Sequence, residues 1–144
     1  MKLRYGDGND CFFMALQAIS GTTPVVSNVI DMRDFDSVGL QLISTGTVAG
    51  TWLIEMSNDY VPRQNTNSYG QVSSTLDTAQ GTFTDCTALF LKAAAGTAIA
   101  NPAGSATSQY AQPRDFIRCR ALRITFTPSS GAGNVAVYGN AGAF

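Results

Sequence analysis

Apolar and polar residues alternate along much of this chain with a period of two, the mark of a β-strand lying between a core and solvent. The clearest case runs from Asp31 to Asp59. Val38, Leu40 and Leu42 alternate with Gly39, Gln41 and Ile43, and Trp52, Ile54 and Met56 alternate with Leu53, Glu55 and Ser57. Ser44-Thr45-Gly46-Thr47-Val48-Ala49-Gly50 lies between them, with glycines where the chain must turn tightly. The pattern predicts two antiparallel strands joined as a central ribbon.

The rest of the chain reads in the same terms. Val25 to Met32 is a strand with Val26, Asn28, Ile30 and Met32 on one face. Asp59 to Gln80, rich in Asn, Ser, Thr and Gln, is a long loop holding one short strand at Tyr69 to Thr75. Thr82 to Lys92 is a strand with blurred alternation, and Ala93 to Ala106 a small-residue loop with a short strand, since Gly96 and Thr97 oppose a helix through Ala93-Ala94-Ala95. In the strand from Asp115 to Pro128, the apolar parity changes between Ala121 and Leu122, which predicts a β-bulge there. Asn134 to Gly139 closes the set. About seven or eight short strands separated by turn signals indicate an all-β fold, an antiparallel β-sandwich of jelly-roll-like type. Residues 1–21 read as an N-terminal arm and 22–144 as a single sandwich domain. The arm, polar to Asp10 and apolar from Cys11 to Ile19, either reaches to a neighbour or covers the sandwich as an edge strand.

Composition narrows the function classes. A chain of 144 residues suits one domain and can bury roughly 70% of its unfolded surface without a metal or disulfide. Only 13% of residues are charged, about half the usual share of roughly 25%. Small neutral residues fill the gap. They suit either close contact with other protein, where little charge must be desolvated, or a stable, quiet surface. A net charge of −1 argues against nucleic acid as a partner. No apolar run approaches the ~18 residues of a membrane span. Asp7 and Asp10 precede the apolar segment where a secretory signal would carry positive charge, so no signal peptide is expected. Cys11, Cys86 and Cys119 lack metal-ligand spacing and read as reduced core residues of a protein made in a cytoplasm.

The chemistry available is sparse. The chain contains no histidine, which removes the Ser-His-Asp and Cys-His arrangements and the commonest metal ligand. Asp31, Asp34 and Asp36 could hold calcium, but their spacing matches no EF-hand loop and turn chemistry explains them better. We therefore expect no catalytic residues, no cofactor and no metal. Four arginines, Arg114, Arg118, Arg120 and Arg123, crowd one short segment. Arg118 and Arg120 share the outer face of one strand, where guanidinium forks can clamp carboxylates of a neighbouring subunit. With Phe12, Phe13 and Leu16 of the arm, they are the candidate protein contacts. Tyr60, Tyr69 and Tyr110 fall in loops and could stack on sugar. Tyr60 and Tyr69 are the leading candidates for a glycan.

The runs Asp36-Ser37-Val38 to Gly50-Thr51-Trp52 and Glu55-Met56-Ser57-Asn58-Asp59 resemble a β-ribbon common in small structural proteins of tailed bacteriophages, and a similar ribbon in discoidin-like carbohydrate-binding domains. Phe116-Ile117-Arg118-Cys119-Arg120 followed by Leu122-Arg123-Ile124 resembles their penultimate strands. The chain departs from the pattern after Asp59, where Tyr60-Val61-Pro62 stands, and Trp52 is its only tryptophan. The resemblance implies a capsid decoration or cement protein: non-enzymatic, made in the bacterial cytoplasm, bound to the outer surface of the head, and tying capsomers together. Its expected partner is the major capsid protein, and its expected state a homo-oligomer, with a trimer favoured. The alternative is a carbohydrate- or receptor-binding sandwich module of a phage tail or fibre.

Overall fold

The structure, a computed structural model, describes residues 12–32, 35–60, 64–66, 72–76, 81–90, 99–101, 107–113 and 117–142. The fold is all-β. Twelve strands run through the described residues: β1 (Phe12–Ile19), β2 (Val25–Val26), β3 (Ile30–Asp31), β4 (Ser37–Ser44), β5 (Ala49–Ser57), β6 (Gln64–Thr66), β7 (Val72–Leu76), β8 (Thr84–Asp85), β9 (Ile99–Asn101), β10 (Thr107–Ala111), β11 (Ala121–Ser130) and β12 (Gly133–Gly142). One 3-10 turn spans Thr87–Leu89. A four-stranded sheet has the order β1-β12-β4-β10. A six-stranded sheet is centred on β5 and β11, with β2 and β3 along β11 and β8 and β9 along β5. β6 and β7 form a hairpin.

The two large sheets share one core. Val38, Leu40 and Leu42 of β4 and Val135 and Val137 of β12 belong to the same buried cluster as Trp52 and Ile54 of β5 and Leu122, Ile124 and Phe126 of β11. Trp52 packs on Phe126 with ring centroids 4.6 Å apart and planes tilted by 53°. The alternation in the sequence thus places both apolar rows as expected.

The pairing differs from the expected ribbon. β4 and β5 are not partners: β4 pairs with β12 and β10, whereas β5 pairs with β11, β8 and β9. The chain crosses from one sheet to the other between Ser44 and Ala49, and crosses back between Ser130 and Gly133 beside it. The register from Ser37↔Gly142 to Ser44↔Val135 continues through this corner, where the Thr45 amide donates to the Asn134 carbonyl at 2.8 Å and the Thr47 amide to the Ala132 carbonyl at 2.9 Å. It resumes at Ala49↔Ser130 and runs to Ser57↔Ala121, slipping by one residue between Ser130 and Pro128. One long antiparallel ribbon is therefore folded over itself, a jelly-roll-like construction. Gly131 makes the corner possible. Its φ is +83° and a Cβ there would lie 2.0 Å from the Thr47 carbonyl oxygen, so only a residue without a side chain lets the two crossings meet.

A buried polar knot ties the sheets together nearby. Asn101 of β9 donates from Nδ2 to the Val48 carbonyl at 2.7 Å, while its Oδ1 accepts from Ser44 Oγ at 3.1 Å and from Thr107 Oγ1. Each of these groups has a partner inside the protein, which is what permits their burial.

Three other strands differ from expectation for local reasons. Val25 to Met32 is broken into β2 and β3, because Ser27 inserts its hydroxyl into the ladder: its amide donates to the Ile124 carbonyl at 2.8 Å and its Oγ accepts from the Ile124 amide at 2.9 Å. The break shifts the parity, so Val26 is exposed while Ile30 and Met32 are buried. Thr82 to Lys92 is not one strand. After β8 the buried Thr87 takes over pairing with β5, its Oγ1 accepting from the Ile54 amide at 2.9 Å. The expected bulge between Ala121 and Leu122 is absent, since these residues pair in step with Ser57 and Met56. Both are buried because the sheet is covered on both sides there. Leu122 belongs to the main core, and Ala121 to a small cluster with Val29 and Tyr60, flanked by Phe83. The expected strand from Asp115 begins at Ala121; Ile117 to Arg120 approach it without ladder pairing. Of the loop with a short strand expected from Ala93 to Ala106, residues 93–98 and 102–106 lie outside the described residues, and β9 is a short strand between them.

Candidate functional site

Residues 12–19, which include the candidate contacts Phe12, Phe13 and Leu16, form β1 at one edge of the four-stranded sheet. They pair with β12 from Phe12↔Tyr138 to Ile19↔Gly133, with two register shifts on the way. The sequence of β1, FFMALQAI, has no charged residue. Leu16 is 57% exposed, and Gln17 and Ala18 are exposed beside it. On its outer side β1 has no strand partner among the described residues. Natural edges are usually blunted by lysines, prolines or tight bulges, because bare amides and carbonyls template pairing with another chain. This edge carries its bulges but neither charge nor proline.

Arg118 and Arg120 are exposed, while Ile117 and Cys119 between and before them are buried. They are not on a regular strand. The backbone is held instead by the Ile117 amide donating to the Asp36 carbonyl at 2.8 Å and the Arg120 amide to the Ser57 carbonyl at 3.0 Å. This places the pair beyond the first residue of β11, in the sheet that does not contain β1. The contact candidates therefore form two separate surfaces. Arg123 plays a different part: its Nε lies 2.6 Å from Glu55 Oε2, and its guanidinium sits 4.2 Å from the Phe83 ring centre. It closes the cluster over Ala121, and its charge offsets Glu55, which also faces Asp85 across the β5–β8 pair.

Tyr60 is not available to a glycan. It is 1% exposed, and its ring packs 6.1 Å from that of Phe83 over Val29 and Ala121. Polar neighbours in sequence suggested an exposed loop, but the aromatic ring is what covers the outer side of the sheet at that point. Tyr69 lies outside the described residues, as do Cys11 and Asp34.

A hollow of about 720 Å³ lies at the end of the six-stranded sheet between Met56, Asp59, Thr82, Thr84, Cys86 and Leu89. Its groups are committed to structure. Asp59 Oδ1 accepts from Ser57 Oγ at 2.6 Å and from the Thr82 amide at 2.8 Å, and these bonds hold the carboxyl down to about 2. Asp85 Oδ1 accepts from the Thr87 amide at 2.9 Å. Burial pushes the Cys86 thiol up to about 12 and the Cys119 thiol up to about 11, which removes the thiolate that nucleophilic chemistry requires. Among the described residues no three His, Cys, Asp or Glu side chains gather as metal ligands.

A smaller hollow, about 260 Å³, lies on the outer face of the four-stranded sheet. Tyr110 of β10, Gln41 of β4 and Tyr138 of β12 stand in one row, since Gln41 is directly opposite both tyrosines. Tyr110 is in a strand rather than a loop and is 66% exposed. Tyr138 has no distinguishing sequence signal; only the register between strands far apart in the chain brings it to this row. Comparison with protein-family models, with curated proteins and with solved structures returned no match.

Proposed function

We propose that this chain is a non-enzymatic virion structural protein of a tailed bacteriophage, a decoration or cement protein that binds the outside of the head and stabilises contacts between capsomers. The observation that carries this reading is the uncharged edge of β1, which has no strand partner on its outer side among the described residues. A partner strand laid along it would gain main-chain hydrogen bonds at little desolvation cost. The exposed Arg118 and Arg120 supply a second contact surface, suited to carboxylates on the partner. Two modest surfaces on an oligomer bind a repeating lattice by avidity, without a single strong site. The resemblance of residues 36–59 to segments of small phage structural proteins and the low share of charged residues in the chain favour the same reading.

Gold-labelled antibody on intact particles tests the assignment. Label spread over the head is expected; label confined to the tail tip, or no label on any particle, overturns it. The contact is tested by Leu16→Lys with Ala18→Lys, which charges the edge at exposed positions without removing a strand from the sheet. The variant should keep its melting temperature and lose binding to heads that lack the protein. Unchanged binding would remove β1 from the mechanism.

A further inference from the structure

We propose that the outer face of the four-stranded sheet carries a binding site for a neutral carbohydrate, centred over Gly39 and flanked by Tyr110 and Tyr138. This goes beyond a role in shell assembly and uses neither the edge of β1 nor the arginine surface.

The placement follows from register. Gln41 is opposite Tyr110 on one side and Tyr138 on the other, so all three side chains leave the same face of the sheet. The two tyrosines stand two strand spacings apart, about 9–10 Å. Gln41 stands on the rung between them, so a ligand reaches both rings from the Gly39 side, where the hollow lies. Gly39 is the next outward position along β4 from Gln41, and it faces Asn140 of β12. A Cβ added to Gly39 would meet nothing within 4 Å. The missing side chain is thus the floor of the hollow and not an accommodation to a packed neighbour. Gln41 Nε2 donates to Ser108 Oγ at 2.9 Å. Ser108 lies on the other side of Gln41 from Gly39, so the bond draws the amide off the glycine and keeps the space open.

The lining chooses the ligand class. Gly39, Gln41, Tyr110, Tyr138, Gly139 and Asn140 include no charged side chain. An ionic ligand would find no counter-charge among them. Phenol rings offer flat apolar faces beside a polar tip, and the amides offer paired donors and acceptors. A pyranose has the matching surface: apolar C–H faces and a rim of hydroxyls. A volume of about 260 Å³ is below the ~300–1,000 Å³ usual for enclosed ligand pockets, which fits one sugar unit of a chain whose neighbours remain in solvent. Tyr110 leaves its ring in water at the sheet's edge, where a sugar would cover it.

The test is titration of the isotope-labelled protein, followed by amide chemical shifts, with neutral di- to tetrasaccharides of glucose, galactose, mannose and N-acetylglucosamine. At least one should bind with millimolar or tighter affinity and shift the amides of residues 39–41, 110 and 138–140. Tyr110→Ala should weaken that binding at least tenfold. Gly39→Phe should abolish it, with an unchanged melting temperature, because the position is open and its backbone is ordinary strand. No binding across the panel, binding only to sulfated or sialylated controls, or binding that survives Gly39→Phe would each overturn the proposal.

Discussion

Gly131→Ala is the sharpest test of the folded-ribbon architecture. The substitution adds one methyl group, yet that carbon would stand 2.0 Å from the Thr47 carbonyl oxygen and 2.6 Å from its carbon, at a residue whose φ is +83°. The left-handed backbone alone costs an alanine about 1–2 kcal/mol. Relieving the overlap requires the two crossings to separate, and they are held by the Thr47 amide donating to the Ala132 carbonyl at 2.9 Å and the Ala132 amide donating to Thr47 Oγ1 at 3.2 Å. Weakening both bonds adds about 1 kcal/mol each. The expected loss is about 3–4 kcal/mol, which for a domain of this size lowers the melting temperature by roughly 10 °C. Gly39→Ala is the matched control: it meets nothing within 4 Å and should change stability by less than about 0.5 kcal/mol. Guanidinium unfolding of the two variants and the parent measures both, with the slope expected to be unchanged. If Gly131→Ala unfolds within about 1 kcal/mol of the parent, or no differently from Gly39→Ala, the crossings do not meet as described.

Two further predictions concern titration. Ser57 Oγ and the Thr82 amide hold the Asp59 carboxyl down to about 2, from an ordinary value of 3.8, so this group's contribution is fully present above pH 3.8 and is lost as pH falls through about 2. Urea midpoints across that window should fall less steeply in Asp59→Asn than in the parent, and an identical slope would refute the assignment. Burial raises the Cys86 and Cys119 thiols to about 12 and about 11. In a Cys11→Ser background neither should react with a disulfide reagent at pH 8 until the protein is unfolded, and stability should decline as pH rises above about 9 toward these values, where only the unfolded chain has ionised. Modification of the folded protein at the rate of a free thiol would overturn it.

What the sequence shows and what it hides divide along physical lines. Alternation reports which side chains face inward, so Val38, Leu40, Leu42, Trp52 and Ile54 could be assigned to the core without a structure. It says nothing of which strand lies alongside, because pairing of residues 37–57 with 121–142 is a long-range choice that any apolar-in strand satisfies. Residues 37–57 therefore read as one paired ribbon, although β4 and β5 belong to different sheets. The parity change at Ala121 and Leu122 was a real signal with a second cause, an apolar cover on the outer side of the sheet, and the same cover explains why Tyr60 is buried. At Ser27 a side chain imitates backbone, which composition cannot reveal. The exposed Tyr110 was visible as a residue, but its partner Tyr138 became apparent only through register.

Pairing is distributed unevenly between the centre of the fold and its flanking strands. Residues 37–57 and 121–142 pair almost without interruption, so the centre is a single cooperative unit that opens only with the whole fold. The flanking strands are different: β2, β3 and β8 pair over two residues each, and β1 joins β12 with two register shifts. β1 is thus held less regularly than the ladder it borders, and its backbone can adjust to a partner without disturbing the core. The tyrosine hollow, by contrast, stands on β4 and β12 and on β10, which pairs with β4 in step over five residues, so its two rings rest on regular ladder. The two surfaces meet at one rung, where Phe12 of β1 pairs with Tyr138 of β12. A strand added to β1 would extend the same sheet from that rung outward while the hollow remained on its face, so the proposed shell contact and the proposed sugar contact would not compete for the same atoms.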